Sequence, residues 1–232
     1  MAGAPLCLLA GSGSGRSPDP LLRAALLSSG ITRARVVWVG AASGDDPALR
    51  RRDARRLVRA GAASVERAPL CGRRGSTAEA ARAVESADVV YISGGDVEAG
   101  MRVLGERGMI PRLRAAHRGG KLFIGESAGS IMLCRFWVGW ADPRDERSAT
   151  LFPCMGIARI LCDTHGEADG WGELKSALAL RPAGARGYGI ASGSALVVEP
   201  DGTLRAIGGE VDVFRKRKAG VVQDQGLRPG PR

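Results

Sequence analysis

Aromatic side chains make up only 4% of this 232-residue chain, against 44% for apolar residues as a whole. The core therefore has to be built from Leu, Val, Ile and Ala, and the aromatic platform on which single-stranded nucleic acid stacks is excluded. No apolar run approaches the roughly 20 residues that span a bilayer. The opening stretch, MAGAPLCLLAGSGSG, has no basic flank of the kind that marks a secretory signal. The five cysteines are odd in number and irregularly spaced, which suits a reducing compartment better than a disulfide framework. A soluble cytoplasmic domain without membrane association is the expectation, and the length suits one core.

Acidic residues are also in the minority, so the chain carries a net charge of +10. That charge does not form a nucleic-acid footprint: Arg50, Arg51, Arg52, Arg55, Arg56 and Arg59 lie in one amphipathic segment whose Leu49, Leu57 and Val58 read as inward-facing. Such a pattern is a solvated helix face, and no recognised DNA-binding module accompanies it.

What is present is an alternation of short apolar runs with amphipathic segments. Residues 6–9, 36–39, 89–92 and 122–124 read as buried strands, with a shorter one at 63–65. Between them, residues 18–29 read as a helix closed by Gly30, Asp46-Pro47 starts a helix that Gly61 stops, and Ser76-x-x-Glu79 is a capping box. Strands that are apolar throughout and separated by helices predict a doubly wound, mostly parallel α/β sheet covered on both faces. Ligands then bind at the carboxyl ends of the strands. The glycine-rich 11–15 loop after the first strand lacks the GxGxxG spacing and the ribose-binding acid of a dinucleotide site, so no such cofactor is expected.

Later in the chain, residues 137–153 read as a long loop able to cover a site. Residues 157–161 read as a strand leading to Cys162-Asp163-Thr164-His165, and 171–180 as a helix. Residues 194–198 and 203–207 flank Pro200-Asp201-Gly202 as a C-terminal β-hairpin, with a further strand at 211–214. The expected domain is 1–214, followed by a basic, disordered tail at 215–232.

Chemistry concentrates in residues 121–133, KLFIGESAGSIML. A buried strand meets Gly125-Glu126-Ser127-Ala128-Gly129, and a helix-compatible apolar run follows. The GxSxG spacing between strand and helix is that of a nucleophile elbow, which lifts the serine hydroxyl out of the sheet and sets unpaired helix N–H groups beside it. Ser127 needs a base. Of the two histidines, His117 lies in a polar segment, 112–120, at the amino end of the fifth strand; His165 follows a strand and is the candidate base. A structural role suffices for Cys154 and Cys162, because no CxxC pair or second histidine accompanies them and His165. No metal is expected.

Taken together, SGGD at 93–96, GESAGS at 125–130, CDTH at 162–165 and YGIASGSALVV at 188–198 resemble peptidase family S51, within the class I glutamine amidotransferase-like fold, the group of dipeptidase E and cyanophycinase. The resemblance implies a Ser-His hydrolase acting on a small peptide, amide or isopeptide bond without metal or organic cofactor. It implies Ser127 as nucleophile, His165 as general base, and the backbone N–H groups of Gly95 and Ala128 as oxyanion donors. Gly94 and Asp96 lie beside them on the strand-four loop, and Asp96 equally suits a helix cap. Asp142 stands where dipeptidase E-like members place an aspartate, with Asp145, Glu146 and Asp163 as competing acids. Cyanophycinases carry a glutamate where this chain has Ser192. Members that recognise acidic residues carry arginines soon after the histidine, whereas Glu167 and Asp169 follow here, suiting a basic side chain or an amino terminus instead. The alternatives are a non-catalytic binding or regulatory member of the same fold and a small-molecule esterase or amidase. A homodimer is an allowed assembly.

Overall fold

The computed structural model describes residues 4–11, 19–73, 75–142 and 144–230. The glycine-rich 12–15 segment, Pro18 and Pro143 lie outside them. The chain alternates as the apolar runs predict: β1 Leu6–Leu9, α1 Pro20–Leu27, β2 Arg35–Val39, α2 Pro47–Ala60, β3 Ser64–Ala68, α3 Thr77–Ser86, β4 Val89–Ile92, α4 Val97–Glu106, α5 Met109–Arg118, β5 Leu122–Glu126 and α6 Ala128–Leu133. Local chemistry sets the helix ends. The Asp46 carboxylate accepts from Leu49 N at 2.6 Å, Pro47 opens α2, and Gly61 closes it at φ 119°. His117 belongs to α5, which replaces the polar connection expected over 112–120. Its Nε2 lies 3.1 Å from Ala4 O, at the amino end of the sheet.

Seven strands form the central sheet, in the order β11-β10-β1-β5-β4-β2-β3. The five strands from β1 to β3 are mutually parallel. The hairpin β10 Ala195–Val198 and β11 Leu204–Ile207 closes the β1 edge in antiparallel fashion. Successive side chains on each strand enter opposite faces. Thus Leu8, Val37, Val90 and Phe123 join the core beneath α3, α4, α5 and α6. Cys7, Leu9, Val36, Trp38 and Tyr91 join the one beneath α1 and α2.

The second half of the chain departs from expectation in three places. Residues 137–153 are not an irregular loop but mostly a two-stranded ribbon, β6 Phe136–Trp140 with β7 Ala149–Pro153. The strand expected at 157–161 is β8 Leu161–Thr164, and it lies outside the central sheet. It starts a four-stranded sheet, β13-β12-β9-β8, in which β9 Arg186–Ile190 runs parallel to β8 and the rest are antiparallel. The third departure is the tail: β12 spans Val211–Arg217 and returns as β13 Gly220–Leu227. Arg215 Nε donates to Asp224 at 2.6 Å across that hairpin, and Val221 packs toward Phe214 and Leu161. Basic residues there are cross-strand partners, so the ordered chain continues past residue 214. Helix α7, Gly172–Ala179, covers this small sheet through Leu174 and Leu178.

Candidate active site

Ser127 sits between β5 and α6 at φ 54°, ψ −125°, a conformation that costs a non-glycine residue on the order of 1–3 kcal/mol and persists only where its surroundings enforce it. They do so here. Ser127 N donates to Leu9 O at 2.8 Å, and Ser130 Oγ donates to the same carbonyl at 2.9 Å. A Cβ on Gly125 would stand 2.7 Å from Ser130 N, and one on Gly129 only 2.1 Å from Ile92 O. Both glycines of the motif are thus steric requirements of a turn pressed between its own helix and β4.

The crevice at the carboxyl ends of the strands holds a cavity of about 290 Å³ lined by Gly11, Arg52, Gly94, Gly95, Glu126, Ser127 and His165, among others. Gly94 approaches Ser127 closely: its Cβ would lie 3.2 Å from Ser127 Cβ. Gly95 has φ 142°, and a side chain there would strike Ala42 O at 2.1 Å. Ala128 opens α6, so its N–H has no carbonyl one turn earlier to bond. Asp96 serves as a cap, its carboxylate accepting from Ala99 N at 2.7 Å at the start of α4.

His165 reaches the cavity from the small sheet. Parallel pairing sets Thr164 opposite Ile190, so the chain leaving β8 and the chain leaving β9 run side by side. His165 N is 3.4 Å from Ile190 O, and the imidazole Nδ1 is 3.1 Å from Ser192 Oγ. Gly166 packs on the buried Trp171, whose N–H returns to Gly166 O at 2.8 Å and whose indole donates to Asp212.

Among the described contacts, the structure does not bring Asp142 to His165. Asp142 is exposed in the turn between β6 and β7, its carboxylate accepting from Arg144 N at 2.9 Å, with its backbone pinned by Ser148 Oγ. An aspartate beside a proline in a charged turn satisfies its own backbone. Asp145 accepts from Arg147 in that turn. Asp163 is buried in β8 with Thr164 N on its carboxylate at 2.7 Å; burial, reinforced by Glu173 and Asp169, pushes its pKa up to about 7. Asp169 accepts from Trp171 N at 2.9 Å, and Glu167 accepts from Ser192 N at 3.1 Å. Neither lines the cavity described above.

Sequence reasoning missed the charged group behind Ser127. Arg56, read as a solvated arginine, is nearly buried; it reaches Glu126 at 2.8 and 2.9 Å and Asp19 at 2.6 Å. Tyr91 OH donates to Glu126, and Trp38 Nε1 donates to the fully buried Asp53 at 3.1 Å. Burial raises the Asp53 pKa against the Trp38 bond. Burial also raises that of Tyr91, with Glu126 acting in the same sense. Conversely, Val58, expected to face inward, is exposed. The aspartate at 53, four positions before buried Leu57, was the available signal that this face of α2 carries charge inward.

Among the described residues no group of three or more His, Cys, Asp or Glu is placed to hold a metal ion, and no helix is long and apolar enough to cross a membrane.

A mostly parallel α/β sheet with a strained serine at a strand-to-helix turn defines a protein of the class I glutamine amidotransferase-like fold. The family model of Peptidase family S51 matches residues 6–206, and the chain belongs to that family. Two solved structures share the fold at 18% identity. One, a peptidase from an acI-B1 Actinobacterium, aligns with a TM-score of 0.76 over 99% of this chain and 96% of its own. The other is a provisional Peptidase E protein from Listeria monocytogenes EGD-e; it aligns at 0.65 over 89% of this chain and 99% of its own. No curated protein matches the sequence. Family and neighbours together support a peptidase function.

Proposed function

We propose that the protein is a serine-type hydrolase that cleaves a small peptide, or an amide or isopeptide bond, with Ser127 as nucleophile and His165 as base. The observation that carries this reading is that the strained Ser127 and His165, from different sheets, line one cavity. At about 290 Å³ that cavity sits at the lower end of the ~300–1,000 Å³ usual for ligand sites, which favours a short substrate.

In the proposed cycle His165 Nε2 takes the Ser127 proton as Oγ attacks the carbonyl carbon. The oxyanion is received by the backbone N–H groups of Gly95 and Ala128, the leaving amine takes the proton from the imidazolium, and water repeats the sequence on the acyl enzyme. Arg52 and Glu126 are the charged side chains on the cavity wall; Glu126 is paired to Arg56, and Arg52 donates to Asp53 from Nε and Nη2 at 3.0 and 2.9 Å, which leaves its Nη1 as the cationic donor for a substrate carboxylate.

The test is labelling by a small fluorophosphonate, read by intact mass. A single adduct, lost in both Ser127→Ala and His165→Ala, is the expected result. Absence of labelling in folded wild-type protein would end the proposal in favour of a binding role. Once a substrate is found, Ser127→Ala is expected to lower turnover by about three to six orders of magnitude.

A further inference from the structure

A histidine base needs its second ring nitrogen held, both to fix the tautomer and to steady the imidazolium that forms when it takes a proton. His165 Nδ1 is 3.1 Å from Ser192 Oγ, and Ser192 N–H donates to Glu167 Oε1 at 3.1 Å. We infer that Glu167 is the acid of this site and acts through Ser192 as a positioning residue, the two forming a His165–Ser192–Glu167 relay. The inference rests on the serine-hydrolase reading above.

The donor count fits. In the tautomer a base needs, Nδ1–H donates to Ser192 Oγ, leaving that oxygen one proton to direct at Glu167, an acceptor-only group when ionised. Desolvation is the largest single influence and raises the Glu167 pKa, but its own amide, Ser192 and nearby His165 together outweigh it and hold the carboxyl below the usual range. When Nε2 takes the Ser127 proton, the positive charge stays on the imidazole and no proton passes to the carboxylate. Ser192 Oγ offers a lone pair to Nδ1–H, and Glu167, bonded to the Ser192 N–H, holds that residue in place and offers an acceptor for the hydroxyl proton. The backbone supplies the spacing: the parallel register of β8 and β9 carries Glu167 and Ser192 out on adjacent chains, and Trp171 clamps Gly166 between His165 and Glu167.

The relay is exposed to solvent, which weakens its electrostatic coupling. Its loss should therefore fall well short of the roughly 10⁴-fold effect of removing a buried carboxylate bonded directly to the imidazole. The experiment measures fluorophosphonate labelling rates from pH 5 to 9 for wild type, Glu167→Gln, Ser192→Ala, Ser192→Glu and Ser192→Glu/Glu167→Gln, with thermal unfolding as the control. Glu167→Gln and Ser192→Ala are expected to slow labelling about 10- to 100-fold, with unfolding temperatures within a few degrees of wild type. The acid limb of the Glu167→Gln profile is expected at lower pH, because a lost carboxylate favours neutral imidazole. Ser192→Glu puts a carboxylate directly on Nδ1 and is expected to label at least as fast as wild type, with Glu167→Gln then adding no further loss. A merely structural Glu167 would show neither the shifted limb nor this rescue. Wild-type labelling at Ser127 with Glu167→Gln equally fast across the range overturns the relay alone; a wild type that is not labelled overturns the serine-hydrolase reading and the relay with it.

Discussion

The guanidinium of Arg56 grips both carboxylate oxygens of Glu126, at 2.8 and 2.9 Å, from a helix 70 residues earlier in the chain. Glu126 immediately precedes Ser127, so this pair, with Asp19 as a third partner, fastens α2 and the start of α1 to the turn that carries Ser127.

Removing one side of a buried pair leaves the other charge uncompensated. Arg56→Met is expected to destabilise the protein by about 3–5 kcal/mol, read as a lower midpoint in urea unfolding. Adding Glu126→Gln is expected to recover part of that loss. Additive single losses would show that the pair does not hold the turn.

The elbow glycines provide a second test. Gly129→Ala forces a Cβ to within 2.1 Å of Ile92 O, and a loss of more than about 4 kcal/mol is expected, the range reserved for severe steric mutations. Gly105, in the last turn of α4, has no atom within 4 Å of an added Cβ. Gly105→Ala is expected to stabilise by about 0.5–1 kcal/mol. Matching unfolding midpoints for the two variants would contradict the packing described.

Asp163 makes stability depend on pH. Its folded pKa, about 7, lies above the 3.8 of an ordinary aspartate, so the folded state holds the proton more tightly than the unfolded chain. The resulting stabilisation is complete below pH ~4 and is lost as pH rises through ~7, at up to roughly 1.4 kcal/mol per pH unit. Asp163→Asn keeps an oxygen for Thr164 N and removes the titration. It is expected to be more stable than wild type at pH 8, with the difference shrinking toward pH 5, as denaturant unfolding at the two values would show. A difference independent of pH would contradict the assignment.

Much of the central sheet was legible because its parallel strands are buried on both faces and read as unbroken apolar runs, while Asp46-Pro47 and Ser76 announce helix starts. The elbow was legible because steric demand writes itself as glycine. The small sheet was not, since β9 is RGYGI and β13 carries Gln, Asp and Gly, with no run or alternation that separates them from loops. Arg56 was misread because a charge that turns inward has the same letter as one that turns out. The neighbours of His165 were hidden for a related reason: Ser192 lies 27 positions away and meets it through the β8–β9 register alone.

The resemblance to dipeptidase E-like members singled out Asp142, but its carboxylate is turned to Arg144 N in an exposed turn. Asp142→Ala is expected to change the fluorophosphonate labelling rate by less than about threefold, the scale of a ~0.5 kcal/mol surface substitution. A loss of a hundredfold or more would return Asp142 to the site and displace Glu167.

Ser127 rides on the seven-stranded sheet and His165 on the four-stranded one, with the seam between them closed by α6 against β8, where Cys134 and Cys162 sulfurs stand 3.2 Å apart. With Ser127 and His165 acting together as proposed, activity depends on how the two sheets, which share one hydrophobic core, pack on each other. Warming or mild denaturant that loosens the seam is expected to silence the serine while both sheets stay intact. In that regime a probe of Ser127 becomes a strain gauge for a joint that circular dichroism would report as unchanged.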